Sequence, residues 1–92
     1  MSNDNQKDLD FLFETLANIT DKDDLKLLFD DLCTYKEIDS MAQRLRSAQL
    51  LSNGSTYEQI IKQTEISSAT LSRVNKSLKY GKGYKKLFNQ EK

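Results

Sequence analysis

The side chains with the most chemical potential cluster between Lys62 and Lys79. Ser67, Ser68 and Thr70 place three hydroxyls within four residues, followed by Ser72, Arg73, Lys76 and Lys79. Hydroxyls beside the free N–H groups of a helix start suit anionic oxygens, because those groups and the helix dipole both favour negative charge there. Small side chains at that end, Ala69 included, let the backbone approach a ligand closely. Arg73 adds a planar fork that can grip two acceptors at once, whereas Lys76 and Lys79 act as point charges. Bond-making chemistry has little to work with. The 92-residue chain has no histidine and one cysteine, and no carboxylate pair has a defined role near these residues. Neither an enzyme, a zinc site nor a cofactor is expected. Cys33 lies at apolar spacing from Phe29 and Leu32, which predicts a small buried core residue, and a lone cysteine excludes an internal disulfide.

Charge is balanced in total but not along the chain. Residues 1–40 carry eleven acids against four lysines, a net of −7, and residues 41–92 carry three acids against ten Lys/Arg, a net of +7. Such a split aims the basic half at an anion and keeps the acidic half away from it. Only 37% of residues are apolar, a thin supply for one small core, which predicts a partner chain that completes it. No apolar run approaches the ~20 residues that cross a bilayer. The start Met1-Ser2-Asn3-Asp4 lacks the basic and apolar regions of a signal peptide, so a cytoplasmic protein without a membrane partner is expected.

Positioning the basic cluster falls to helices, since the chain has no proline and only three glycines, Gly54, Gly81 and Gly83. The first helix is expected from about Asp4 to Asn18, with Leu9, Leu12, Phe13 and Leu16 on one face and Phe11 and Ile19 widening it. The second begins near Asp21 behind a Thr20 N-cap and carries Leu25, Leu28, Phe29 and Leu32. Thr34 and Glu37 fit a capping box for a third helix over about 35–52, with Ile38, Met41, Ala42, Leu45 and Ala48 inward and Arg44 and Arg46 on the remaining surface. Asn53-Gly54 ends it, Gly54 taking the left-handed conformation. Ser55 and Glu58 repeat the capping pattern for a short fourth helix to about Gln63, with Ile60 and Ile61 inward. After a break at Thr64-Glu65-Ile66, Ser67 caps a fifth helix with Leu71, Val74 and Leu78 buried, ending at Tyr80-Gly81. The tail interleaves Lys82, Lys85 and Lys86 with Tyr84, Leu87 and Phe88, a pattern open to a docked helix or a basic arm.

The fourth and fifth helices have the layout of a helix-turn-helix, in which one helix braces across the DNA backbone and the next enters the major groove N-terminus first. The expected fold is all-α, of five to six helices. One domain spans 1–92, with dimerisation helices over 1–53, the helix-turn-helix over 55–80 and a basic tail over 81–92. Four cations, Lys62, Arg73, Lys76 and Lys79, stand against Glu58 and Glu65 between residues 56 and 80. The partner this predicts is double-stranded DNA, contacted by Lys62, Ser67, Ser68, Ala69, Thr70, Ser72, Arg73 and Lys76. A helical protein-interaction module and an architectural or replication factor are the alternatives.

The stretch Ala69-Thr70-Leu71-Ser72-Arg73-Val74-Asn75-Lys76-Ser77-Leu78 resembles the recognition helix of the tryptophan-repressor family. The likeness extends back through Arg44-Leu45-Arg46, Gly54 and Thr56-Tyr57. It is closer still to the YerC/YecD-like group of that family, through Asp31-Leu32-Cys33-Thr34, Glu37-Ile38, Ala42-Gln43-Arg44-Leu45 and Tyr80-Gly81. The resemblance implies an intertwined helical homodimer that binds an operator and represses transcription. It also implies that Arg44 and Arg73 correspond to the arginines that hold a co-repressor. Two positions depart from the family pattern. Glu65 stands where the turn usually has glycine, and Val74 stands where a glycine gives the ligand ring room. Tryptophan is therefore not expected as a ligand, and no other small-molecule effector is expected.

Overall fold

Capping chemistry sets most of the element boundaries. The computed structural model describes residues 3–88 and divides the chain into two compact units, Met1–Tyr35 and Lys36–Lys92. Among the described residues there are six helices and no strand: α1 (Asn3–Ala17), α2 (Lys22–Leu32), α3 (Tyr35–Ser52), α4 (Tyr57–Thr64), α5 (Ser68–Tyr80) and α6 (Gly83–Phe88).

In the first unit, α2 starts one residue later than its expected cap. Asp21, not Thr20, is the N-cap, and its carboxylate accepts the Asp24 N–H at 3.3 Å. A carboxylate outcompetes a hydroxyl there because its full charge also meets the helix dipole. Cys33 is the C-cap of α2, its N–H donating to the Phe29 carbonyl at 2.9 Å, and it is half-buried rather than buried. No described residue of α1 or α2 is buried. Phe11, Phe13, Leu27 and Leu32 are all more than half exposed, while Leu12, Leu16, Leu25, Leu28 and Phe29 are half-buried.

In the second unit, α3 ends as its sequence predicts. Gly54 has φ 95°, its N–H donates to the Leu51 carbonyl, and the Ser55 N–H donates to the Leu50 carbonyl, each at 3.0 Å. This closure explains why the next cap is shifted. With its N–H already engaged, Ser55 cannot open the capping box expected with Glu58, and Thr56 does so with Gln59. The Thr56 hydroxyl accepts the Gln59 N–H at 3.1 Å while Gln59 Oε1 accepts the Thr56 N–H at 2.9 Å.

The core of this unit is Ala48, Ile60, Ile66, Leu71 and Val74, with Leu50, Leu51, Ile61, Tyr84 and Phe88 packed against it. The inward face of α3 is displaced from the expected stripe. Ser47 and Ala48 are buried, whereas Ala42 and Leu45 are exposed.

The tail resolves in favour of a docked helix. α6 follows Gly81, where an added Cβ would lie 2.7 Å from the Ser77 carbonyl oxygen, too close for any side chain without backbone movement. Tyr84 and Phe88 pack on the core, and Ser52 Oγ donates to the Phe88 carbonyl at 3.4 Å. Of the basic tail expected over 81–92, residues 89–92 lie outside the described residues.

Candidate nucleic-acid interface

The sequence 65–67 makes the whole connection between α4 and α5. Glu65 is the C-cap of α4 at φ 64°, the left-handed conformation in which a non-glycine residue costs ~1–2 kcal/mol. Its N–H donates to the Ile61 carbonyl at 2.8 Å. Ile66, 2% exposed, turns its side chain into the core and so draws the start of α5 onto α4. Ser67 then caps α5, its hydroxyl accepting the Thr70 N–H at 3.1 Å and donating to Thr70 Oγ1 at 2.9 Å.

Burial separates the two faces of α5. Leu71 and Val74 are buried and Leu78 is half-buried, while Ser68, Ala69, Ser72, Arg73, Lys76 and Lys79 are exposed. The exposed set begins at the helix start and continues through Arg73 and Lys76, which are three residues apart and therefore neighbours on one surface. Lys62 is exposed in the last turn of α4. Ser67 and Thr70 differ from the rest of the expected set: their hydroxyls bond each other, and Thr70 is half-buried. That pair defines the helix start, where Ser67 and Ser68 are exposed, with Ser72 exposed one turn further on.

Behind this surface lies a cavity of about 470 Å³ lined from α3 by Ser40 and Arg44, from α5 by Thr70, Arg73, Val74 and Ser77, and from α6 by Tyr84. The structure thus brings Arg44 and Arg73 to one cavity. Arg44 Nη1 donates to Ser40 Oγ at 3.0 Å. Two guanidinium groups with hydroxyls around them make a lining suited to an anion. Val74 is 2% exposed, its bulk shared between the core and the cavity wall.

Local spacing did not identify Ser40, Tyr84, Gln43 or Thr64 as parts of this region. Gln43 Nε2 donates to the Thr64 carbonyl at 3.1 Å across 21 residues of sequence, a pairing that leaves no periodic trace. For Tyr84 a signal existed in its spacing of four from Phe88, which is one face of a helix.

The chain matches the profile of a family described as Trp repressor protein over residues 7–92. It is 47% identical over 75 residues to the uncharacterized protein YerC of Bacillus subtilis, covering 82% of this chain and 72% of that one. Among solved structures, a proposed Trp repressor from Staphylococcus aureus superposes with a TM-score of 0.86 at 36% identity, covering 91% of this chain and 85% of the other. A TrpR-like protein from Eubacterium eligens gives 0.87 at 39% identity, with 91% and 88% covered.

Proposed function

Because the chain belongs to the Trp repressor protein family, we propose that it binds double-stranded DNA in a sequence-specific manner and regulates transcription as a repressor. The observation that carries this reading is the division of α5. Leu71 and Val74 hold it to the core, and a continuous exposed face of Ser68, Ala69, Ser72, Arg73 and Lys76 is left for a ligand. Arg73 is the side chain suited to a guanine edge, through two parallel hydrogen bonds, while Lys62 and Lys76 suit phosphate. Ser67 and Thr70 shape the helix start that enters the groove.

The protein acts as a homodimer in this reading. Residues 1–53 supply the dimerisation helices and residues 55–80 the reading motif, with the basic tail beside it. Support comes from α1 and α2, where no described residue is buried although Leu9, Phe11, Phe13, Leu27 and Leu32 are available. A second chain would cover them, and two α5 helices would then meet two half-sites. Tryptophan is not its co-repressor in this reading, since Val74 fills space that the ligand ring needs in the cavity that Arg44 and Arg73 line.

Selection of bound fragments from random duplex DNA tests the reading. A recovered motif with two-fold symmetry is the expected result. Binding without sequence preference would instead make the chain an architectural factor. No salt-dependent shift of any duplex would leave only a protein-interaction module.

A further inference from the structure

The reversal between α4 and α5 is held by side chains that do not belong to the exposed face. Thr64 is the last residue of α4, and its hydroxyl and carbonyl make three hydrogen bonds. Its hydroxyl donates to the Ile60 carbonyl at 2.8 Å and accepts the Ile66 N–H at 3.2 Å. Its carbonyl accepts Gln43 Nε2 from α3 at 3.1 Å. Between Thr64 and Ile66 sits Glu65, in a backbone conformation that an L side chain rarely adopts. Glycine would make that conformation easy but would also let the turn sample others. Here the conformation is imposed by neighbours: the Thr64 hydroxyl spans the turn from one side and Gln43 fastens it to α3 from the other.

We propose that Gln43 and Thr64 are positioning residues for DNA reading. They set the angle at which α5 leaves α4, and hence the register of Arg73 and Ser72 against the bases, without touching DNA. The proposal rests on the DNA-binding reading above and goes beyond it in assigning specificity to a latch behind the interface. The physical reason is leverage. Arg73 lies eight residues beyond Glu65, so a small rotation at the turn moves its fork out of bidentate geometry. Phosphate contacts by lysines are far more tolerant of such a shift.

The test uses the full chain with Gln43→Leu, which keeps the bulk and removes the donor, and Thr64→Val, which keeps the shape and removes the hydroxyl. Thr64→Ser, which retains the hydroxyl, serves as the rescue. In the free protein, amide hydrogen exchange across residues 65–68 should quicken roughly tenfold in the first two variants, while exchange over 71–78 stays at the parental rate. On DNA, both variants should lose about tenfold in affinity for the selected duplex and less than about twofold for an unrelated one, with an unchanged salt slope. Thr64→Ser should keep the parental preference. Equal loss on both duplexes, or unchanged exchange over 65–68, overturns the proposal. If the parent binds no duplex, the DNA reading fails and the positioning role with it. Exchange at 65–68 then still decides, separately, whether the latch holds the turn.

Discussion

Ser47 offers a clean perturbation of the core. It is fully buried on α3, and its hydroxyl has no hydrogen-bond partner. An unsatisfied buried hydroxyl costs ~1–3 kcal/mol, and alanine adds up to ~0.5 kcal/mol of helix propensity over serine. Removing one oxygen leaves a void worth only a few tenths of a kcal/mol at ~24 cal/mol per Å³. Ser47→Ala should therefore stabilise the protein by about 1–2 kcal/mol, a rise in Tm of roughly 5–10 °C for a chain of this length. Ser47→Val provides the opposing control: two extra carbon atoms at a fully buried position should cost ~1–3 kcal/mol. Urea unfolding followed by circular dichroism, at one fixed protein concentration, measures both. The midpoint should move up for alanine and down for valine while the slope stays constant. A lowered midpoint for Ser47→Ala would mean that the hydroxyl bonds a partner in solution, and the reasoning would be wrong.

Glu65→Gly should relieve the left-handed strain of ~1–2 kcal/mol and return ~0.5–1 kcal/mol through the freer unfolded chain, a net gain of about 0.5–1 kcal/mol in urea titration; a net loss would refute the strain argument. Phe13→Asp should weaken self-association by about tenfold or more in sedimentation equilibrium, since covering a large apolar side chain is worth ~1.5–3 kcal/mol and Phe13 is 62% exposed in the single chain. An unaltered dimer would remove Phe13 from the interface. Calorimetric titration with tryptophan should give no binding at micromolar concentration, because the volume of Val74 costs an entering ring ~1–3 kcal/mol; a micromolar Kd would contradict the role given to Val74.

Features that depend on adjacent residues are legible in the sequence. Ser67 as the cap of α5, Gly54 as the left-handed end of α3 and the full span of α3 all follow from local hydrogen-bond chemistry. So does the paired burial of Leu71 and Val74, which share one face of a helix. Errors arose where two local signals competed, as when the closure of α3 claimed the Ser55 N–H and passed the capping box to Thr56 and Gln59. Leu45 was misread because periodicity reveals an apolar arc but not which part of it a neighbouring helix covers. The pairing of Arg44 with Arg73 followed from the family resemblance and not from spacing, while the Gln43–Thr64 bond and the place of Tyr84 in the same cavity are hidden for another reason. Each joins helices far apart in the chain, and no spacing rule encodes such a meeting.

The central claim is that the exposed face of α5 reads DNA, and paired substitutions at Arg73 and Lys76 test it most directly. Both side chains are exposed, so Arg73→Ala and Lys76→Ala should leave Tm nearly unchanged. Binding to the selected duplex and to single-base variants of it is then measured across a range of salt concentrations. Arg73→Ala should cost ~1–3 kcal/mol on the selected duplex and relax preference at one position. Lys76→Ala should weaken all duplexes alike and reduce the salt slope by roughly one unit. If both variants bind every duplex as the parent does, α5 is a structural helix and the account fails.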